Sequence, residues 1–260
     1  MKLMKKVLAA VLALGMVSVM FAGCGGAADA DAVDQIKEAG EIVMYTDAAF
    51  PPFEYVEGQD VKGVDVEIGL AIAEELGVEL KVENVKFDSI VASVQSGKAD
   101  FGAAGMTITD ERKEAVDFSI EYYTSVQYVI FPEGADYASM EDLKDLKVGV
   151  QLGTTGDFLV SDCVETIGLE CKQYANGIEA AQDMIAGRVD AVVLDKLPAE
   201  SIVKNNAGLK CVALTDAEPE SYGICVAKGN ESLLETINTV LEGLIADGKI
   251  DSFVVAHSGI

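Results

Sequence analysis

Residues 89–105 read SIVASVQSGKADFGAAG, and residues 177–195 read GIEAAQDMIAGRVDAVVLD. Each stretch begins with apolar residues at helical spacing, closes on a glycine beside a base (Gly97-Lys98, Gly187-Arg188), and passes through an aspartate into an apolar run. A glycine just past the last helical turn is a common terminator, and a short apolar run bounded by such signals reads as a buried strand. The same helix, cap and strand occur twice in one chain, which predicts two similar lobes. Arg188 belongs to this cap pattern and receives a structural role.

Working outward, strand patterns cover Ile42–Thr46, Val78–Val85, Ala99–Gly105, Val126–Phe131, Lys147–Gln151, Leu169–Tyr174, Val189–Asp195, Leu209–Leu214 and Tyr222–Ala227. Between them Val66, Leu70, Ala73 and Leu76 recur at helical spacing, as do Ile178, Ala181, Met184 and Ile185. Alternation of this kind predicts an α/β fold in which each lobe is a mostly parallel sheet flanked by helices. The loops TDAAFPPF (46–53) and QLGTTGDF (151–158) leave corresponding strands, one in each half.

The N-terminus carries Lys2, Lys5 and Lys6, an uncharged apolar run from Val7 to Phe21, and then Ala22-Gly23-Cys24. That is a basic region, a short apolar core and a small-residue cleavage site, shorter than the about 20 apolar residues of a spanning helix. Residues 1–23 read as a signal peptide. Cys24 stands where the bacterial lipobox has its acylated cysteine, so the expectation is an extracytoplasmic protein held to the membrane by lipid at Cys24. Residues 24–35, rich in small side chains, read as a flexible tether.

Losing the leader removes three of 19 basic residues, so 16 bases face 44 acids and the net charge becomes −28. Nucleic acid is excluded as a partner on that balance, since phosphate binding needs a basic footprint. The only arginines are Arg112 and Arg188. Four cysteines follow Cys24, and Cys163 with Cys171 would join a helix to the next strand. Neither a CxxC pair nor a second histidine beside His257 supports a metal site, and no cofactor is expected.

In α/β folds ligands bind beyond the carboxyl ends of the strands. After the first strand, two prolines stiffen the Thr46–Glu54 loop and hold Phe50 or Phe53 as an apolar wall; Phe53 reads as core and Phe50 as the contact. Phe87 reads equally as a ligand wall or as a hydrophobic staple before a helix capped by Asp88 or Ser89. In Ala104–Arg112 a strand ends at Gly105 and Thr109 opens a helix with Arg112 in its first turn, a place suited to a carboxylate. The competing reading for Arg112 is a surface ion pair with Asp110 or Glu114. Gln151–Gly156, with Thr154 and Thr155, is a second helix start without the Walker lysine pattern, so a nucleotide is not expected. Asp195 reads as a helix N-cap or as the counter-charge for an ammonium group. A cation, an anion and two aromatics together describe a site for a free α-amino acid.

The stretches TDAAFPPFEY, VDVEIGLAIAEELG, KFDSIVASVQSGKADFGAAGMTITDERKEAVDFSIEYY, VGVQLGTTGDF and GRVDAVVLD resemble the family 3 solute-binding proteins of polar amino-acid ABC importers, in order from about Ile36 to Ile250. The resemblance implies the two-lobed periplasmic-binding-protein-like fold of type II. Lobe one would comprise residues 36–122 and 223–260, lobe two residues 127–218, with hinge crossings near 122–126 and 218–222. It implies that Arg112 with the Gly105 and Thr107 loop holds the α-carboxylate, helped by the Thr155 backbone, with Thr154 beside it. Asp195 would bind the α-ammonium, Phe50 and Phe87 would sandwich the ligand, and Asp47 and Gln151 would face its side chain. The partners implied are a polar amino acid and the membrane subunits of an ABC permease, with the binding protein itself a monomer. Gln151, Ala104 and Gly105 differ from members with lysine or serines there, which leaves glutamine, a basic amino acid, histidine and cystine open. The rival readings are a cyclohexadienyl dehydratase-like enzyme and an amino-acid sensor domain.

Overall fold

The computed structural model describes residues 31–259; the leader, Cys24 and most of the expected tether lie outside the described residues. Two five-stranded sheets carry the two lobes. The first has the order Glu79–Asn84, Glu41–Thr46, Phe101–Gly102, Cys225–Ala227, Val116–Phe118. The second has Glu170–Tyr174, Lys147–Gln151, Ala191–Asp195, Gln127–Pro132, Leu209–Ala213. In the first, the leading three strands are parallel and Cys225–Ala227 is antiparallel to both its neighbours. In the second, the leading three are parallel and Gln127–Pro132 is antiparallel to both of its own. Both sheets are therefore mixed, with four strands running one way and one reversed.

The reversed strands share an origin. Tyr123–Ser125 and Glu220–Tyr222 pair antiparallel where the chain passes between the sheets, with Tyr222 opposite Tyr123 and Glu220 opposite Ser125. Each reversed strand is the first sheet strand reached after such a crossing. A chain that arrives from the opposite lobe enters from the cleft side, against the direction of strands that run towards the cleft.

Helix ends obey the sequence signals. The helix Val64–Leu76 stops at Gly77 with φ 72°, and Thr155–Ile167 stops at Gly168 with φ 87°. Asn176 caps Gly177–Ile185 by accepting from the Glu179 N–H. Ile42, Met44, Ile68 and Ile72 fill the first core, and Val129, Phe131, Val148 and Val150 the second. Burying each such side chain contributes about 1.5–3 kcal/mol.

Several expectations are corrected. The tether does not reach residue 35: a helix spans Ala32–Ala39, started by Asp31, which accepts from the Val33 N–H and from Ser232 Oγ. The strand read as Ala99–Gly105 contracts to Phe101–Gly102, because Gly105 turns away with φ 51° and gives its N–H to Asp65. The strand read as Tyr222–Ala227 breaks in two, since the Gly223 N–H bonds to Met106 O and the Ile224 N–H to Ser119 Oγ. Other boundaries shift by one or two residues, the usual uncertainty of element ends. Neither Asp88 nor Ser89 caps Ile90–Gln95; Ser89 Oγ donates to Lys86 O within a 3₁₀ turn. Cys163, Cys171, Cys211 and Cys225 all carry free thiols, so the Cys163 to Cys171 link is not formed. Arg188 pairs with Asp183 on the surface, in the structural role expected of it.

Candidate functional site

Arg112 is positioned by backbone chemistry. Thr109 caps Asp110–Ala115 by accepting the Arg112 N–H, and the guanidinium folds back to donate from Nη1 to Thr107 O at 2.6 Å. Nη2 donates across to Gly153 O of the second lobe at 3.0 Å, and the guanidinium carbon lies 5.3 Å from the centre of the Phe87 ring. The surface ion-pair reading fails: Asp110 pairs with Lys113, and Arg112 is buried. Burial pulls its pKa down from the ordinary value while nearby acids pull it up, and a guanidinium stays charged under such shifts.

Gly105 and Phe50 fit each other. A Cβ on Gly105 would stand 2.7 Å from the Phe50 ring, so the glycine is what lets that ring close over the loop. Phe53 is fully buried against Tyr123 and Tyr222, which makes it core, while Phe50 faces the cleft. Asp65 holds the Gly105 N–H at 2.7 Å and is itself fixed by Tyr122 Oη at 2.8 Å.

From the second lobe, Gln151 ends its strand and donates Nε2 to Asp47 Oδ2 at 2.9 Å; the same Asp47 oxygen accepts the Phe87 N–H. Thr154 caps the helix Thr155–Ile167, and Asp157 pins the preceding loop by accepting the Gly153 N–H. Asp195 stands at the N-cap position of Lys196–Asn205 without capping it. Its oxygens instead accept from Gln127 Nε2 at 2.7 Å and from Tyr222 Oη.

Asp47, Phe50, Phe87, Gly105, Thr107, Arg112, Gln151, Thr154, Thr155 and Asp195 all line one narrow cavity between the two sheets. All ten residues singled out in the sequence are thus brought together. Ala104 and Glu54 complete the lining. Glu54 escaped sequence reading; the signal for it was an acid embedded in the apolar run Phe50–Tyr55.

The electrostatics divide the cavity. Arg112 is its only base, against Asp47, Glu54 and Asp195. Asp47 is pushed up to about 6, chiefly by burial, and so is Asp195, with Glu220 adding to the rise. Glu54 is raised well above the carboxylate range by burial first and then by the charges of Asp65 and Asp47. Gln151 Oε1 is buried without a hydrogen-bond partner, and the protonated Glu54 carboxyl hydrogen-bonds to Asp65. Buried acceptors left open cost about 1–3 kcal/mol each unless a donor meets them. Among the described residues no group of three or more His, Cys, Asp or Glu side chains is disposed to hold a metal ion.

This architecture recurs in known proteins. The chain is 34% identical to a probable histidine-binding protein of Neisseria gonorrhoeae, over 98% of this chain and 96% of that one. It is 38% identical to the L-arginine-binding protein of Pseudomonas aeruginosa, over 78% and 82% respectively. An ancestral arginine-binding protein solved with arginine bound superposes with a TM-score of 0.79 at 43% identity, covering 84% of this chain and 98% of that one. Each of these relatives is named for the amino acid it binds. With a family model matching residues 42–257, the chain belongs to the bacterial extracellular solute-binding proteins, family 3.

Proposed function

We propose that this protein is the extracytoplasmic receptor of an ABC importer and that its ligand is a cationic L-amino acid, L-arginine foremost. In this reading Arg112 and the N–H groups around Thr155 take the α-carboxylate, Asp195 takes the α-ammonium, and Phe50 and Phe87 flank the side chain. Closure of the lobes about Tyr123–Ser125 and Glu220–Tyr222 completes the site, because Arg112 and Asp195 come from different lobes. The closed form then delivers its ligand to a membrane permease, with the protein a monomer tethered by lipid at Cys24.

The observation that carries the choice of ligand is the acceptor wall formed by Asp47 and Gln151 Oε1, the latter buried without a partner. With Glu54 held protonated by its burial, Asp47 and Asp195 against Arg112 leave the cavity one negative charge in excess when both are ionised. An amino acid with a cationic side chain brings one net positive charge and several donors to that wall. A guanidinium offers five N–H groups in a planar fork and matches it better than a glutamine amide with two. The names of the arginine- and histidine-binding relatives point to the same class. The dehydratase reading has only the raised carboxyls of Asp47 and Asp195 in its favour, and both are held as hydrogen-bond acceptors by Gln151, Gln127 and Tyr222.

Calorimetric titration with L-arginine and with L-citrulline, its uncharged near-isostere, tests the proposal. Arginine is expected to bind at least about a hundredfold more tightly, as a buried charge pair implies. Equal affinities would overturn the cationic assignment.

A further inference from the structure

Glu220 does not line the cavity, yet it controls two residues that do. It sits on the crossing strand Glu220–Tyr222, and its Oε2 accepts from Thr107 Oγ1 of the first lobe at 2.7 Å and from Thr155 Oγ1 of the second at 2.6 Å. Its other oxygen accepts from Gln127 Nε2 at 3.3 Å. A carboxylate has no proton to give, so both hydroxyls must donate to it, and a hydroxyl has only one proton. Thr107 and Thr155 are therefore left with lone pairs alone for the cavity. Gln127 Nε2 donates to Asp195 at 2.7 Å and reaches Glu220 at 3.3 Å and one lone pair of Thr155 Oγ1 at 3.4 Å, and Tyr222 Oη donates to Asp195. The corner formed by Thr107, Thr155 and Asp195 consequently presents side-chain acceptors and no side-chain donor.

We infer that Glu220 is a positioning residue that fixes the hydroxyl polarity of Thr107 and Thr155 and thereby makes this corner select an α-amino group. This rests on the amino-acid-binding reading above and sharpens it. Thr107 Oγ1 becomes an acceptor for ammonium N–H, separate from the carboxylate held by Arg112. Ligands lacking the amino group leave three acceptors unmet and are rejected for that reason.

The test compares wild type, Glu220→Gln and Thr155→Val by titration with L-arginine and with 5-guanidinopentanoic acid, which lacks only the α-amino group. A glutamine can turn its amide towards a threonine and reverse that hydroxyl. The preference for L-arginine over the des-amino acid is expected to fall about tenfold or more in Glu220→Gln, mainly through weaker arginine binding. Thr155→Val, which keeps the backbone and the volume, is expected to narrow the same ratio and decides the matter if Glu220→Gln does not fold. Equal weakening of both ligands, as a mere clasp between lobes would give, overturns the inference, as does an unchanged ratio. Wild-type protein that binds no amino acid overturns the amino-acid reading itself and this inference with it.

Discussion

The two ends of the cavity are built on opposite plans. At the Arg112 end the guanidinium donates to the carbonyls of Thr107 and Gly153, and the loops around it are pinned by Asp65 and Asp157. At the Asp47 end an amide oxygen, Gln151 Oε1, is buried with no partner beside an aspartate that has no basic residue paired with it among the described residues. A wired charge keeps its geometry whatever arrives, whereas an unpartnered one destabilises the empty protein and gains most from a complementary ligand. On the proposed function the first end would recognise what all amino acids share, and the second what distinguishes one from another.

Breaking the wired end should have the largest effect. Arg112→Ala is expected to lower affinity for every amino acid by about a thousandfold, since it strands a buried carboxylate without its partner. Isothermal calorimetry checks this, with circular dichroism verifying the fold. Retained affinity would remove Arg112 from the site.

Breaking the open end should be selective. Asp47→Asn is expected at pH 7 to weaken L-arginine by about a hundredfold while changing L-glutamine by less than about threefold. The same substitution should raise the melting temperature of the unliganded protein, because a buried carboxylate gives way to a neutral amide of the same shape. A uniform loss across ligands would mean that the two ends are not functionally distinct.

The ends should also separate by pH. Asp47, Asp65 and Asp195 are raised from an ordinary 3.8 to about 6, chiefly by burial. Between these values the folded protein holds protons that the unfolded chain has released, so the contribution of these three acids to unliganded stability is fully present below about pH 4 and declines as pH rises through 6. The carboxyls of Asp31, Asp142 and Asp183, lowered by surface hydrogen bonds, finish titrating below that window. A cationic ligand favours the ionised acids, so arginine affinity should rise by about tenfold from pH 5 to pH 7, with protons released on binding. Titrations in buffers of different ionisation enthalpy measure that release, and proton uptake would contradict the assignment.

The smallest effect belongs to the other arginine. Arg188 makes an exposed pair with Asp183, and Arg188→Ala should leave affinity unchanged and move the melting temperature by less than about 2 °C. A loss of binding comparable to that of Arg112→Ala would undo the contrast on which the assignment of Arg112 rests.

How far the sequence could be read follows from the range of each signal. Arg112 was legible because arginine is scarce and because Thr109 caps its helix three residues away. Gln151 and Asp195 were legible because strands of apolar residues end on them, and the repeat of Gly97 and Gly187 announced two lobes. Glu54 was not, since an acid closing the Thr46–Glu54 loop shows only that it interrupts an apolar run, and only the packed fold buries it. Glu220 was less visible still. It is one of 44 acids and lies in a polar run, and its meaning arises where the crossing brings it to Thr107 and Thr155, 113 and 65 residues distant. The contraction of Ala99–Gly105 has the same origin, because the Gly105 N–H leaves the ladder for an aspartate forty residues away. Local chemistry could be read directly; partners supplied by topology could not.

The reversed strand of the first sheet bears on how the protein is made. Cys225–Ala227 lies between Phe101–Gly102 and Val116–Phe118, so the centre of that sheet is filled by one of the last strands to leave the ribosome. The second sheet draws all its strands from the uninterrupted stretch 127–213. A chain emerging from its N-terminus can assemble the second lobe while the first still has a gap at its middle. The Arg112 half of the site thus matures last, and a chain that stopped before Cys225 would leave Val116–Phe118 without a neighbour in its sheet.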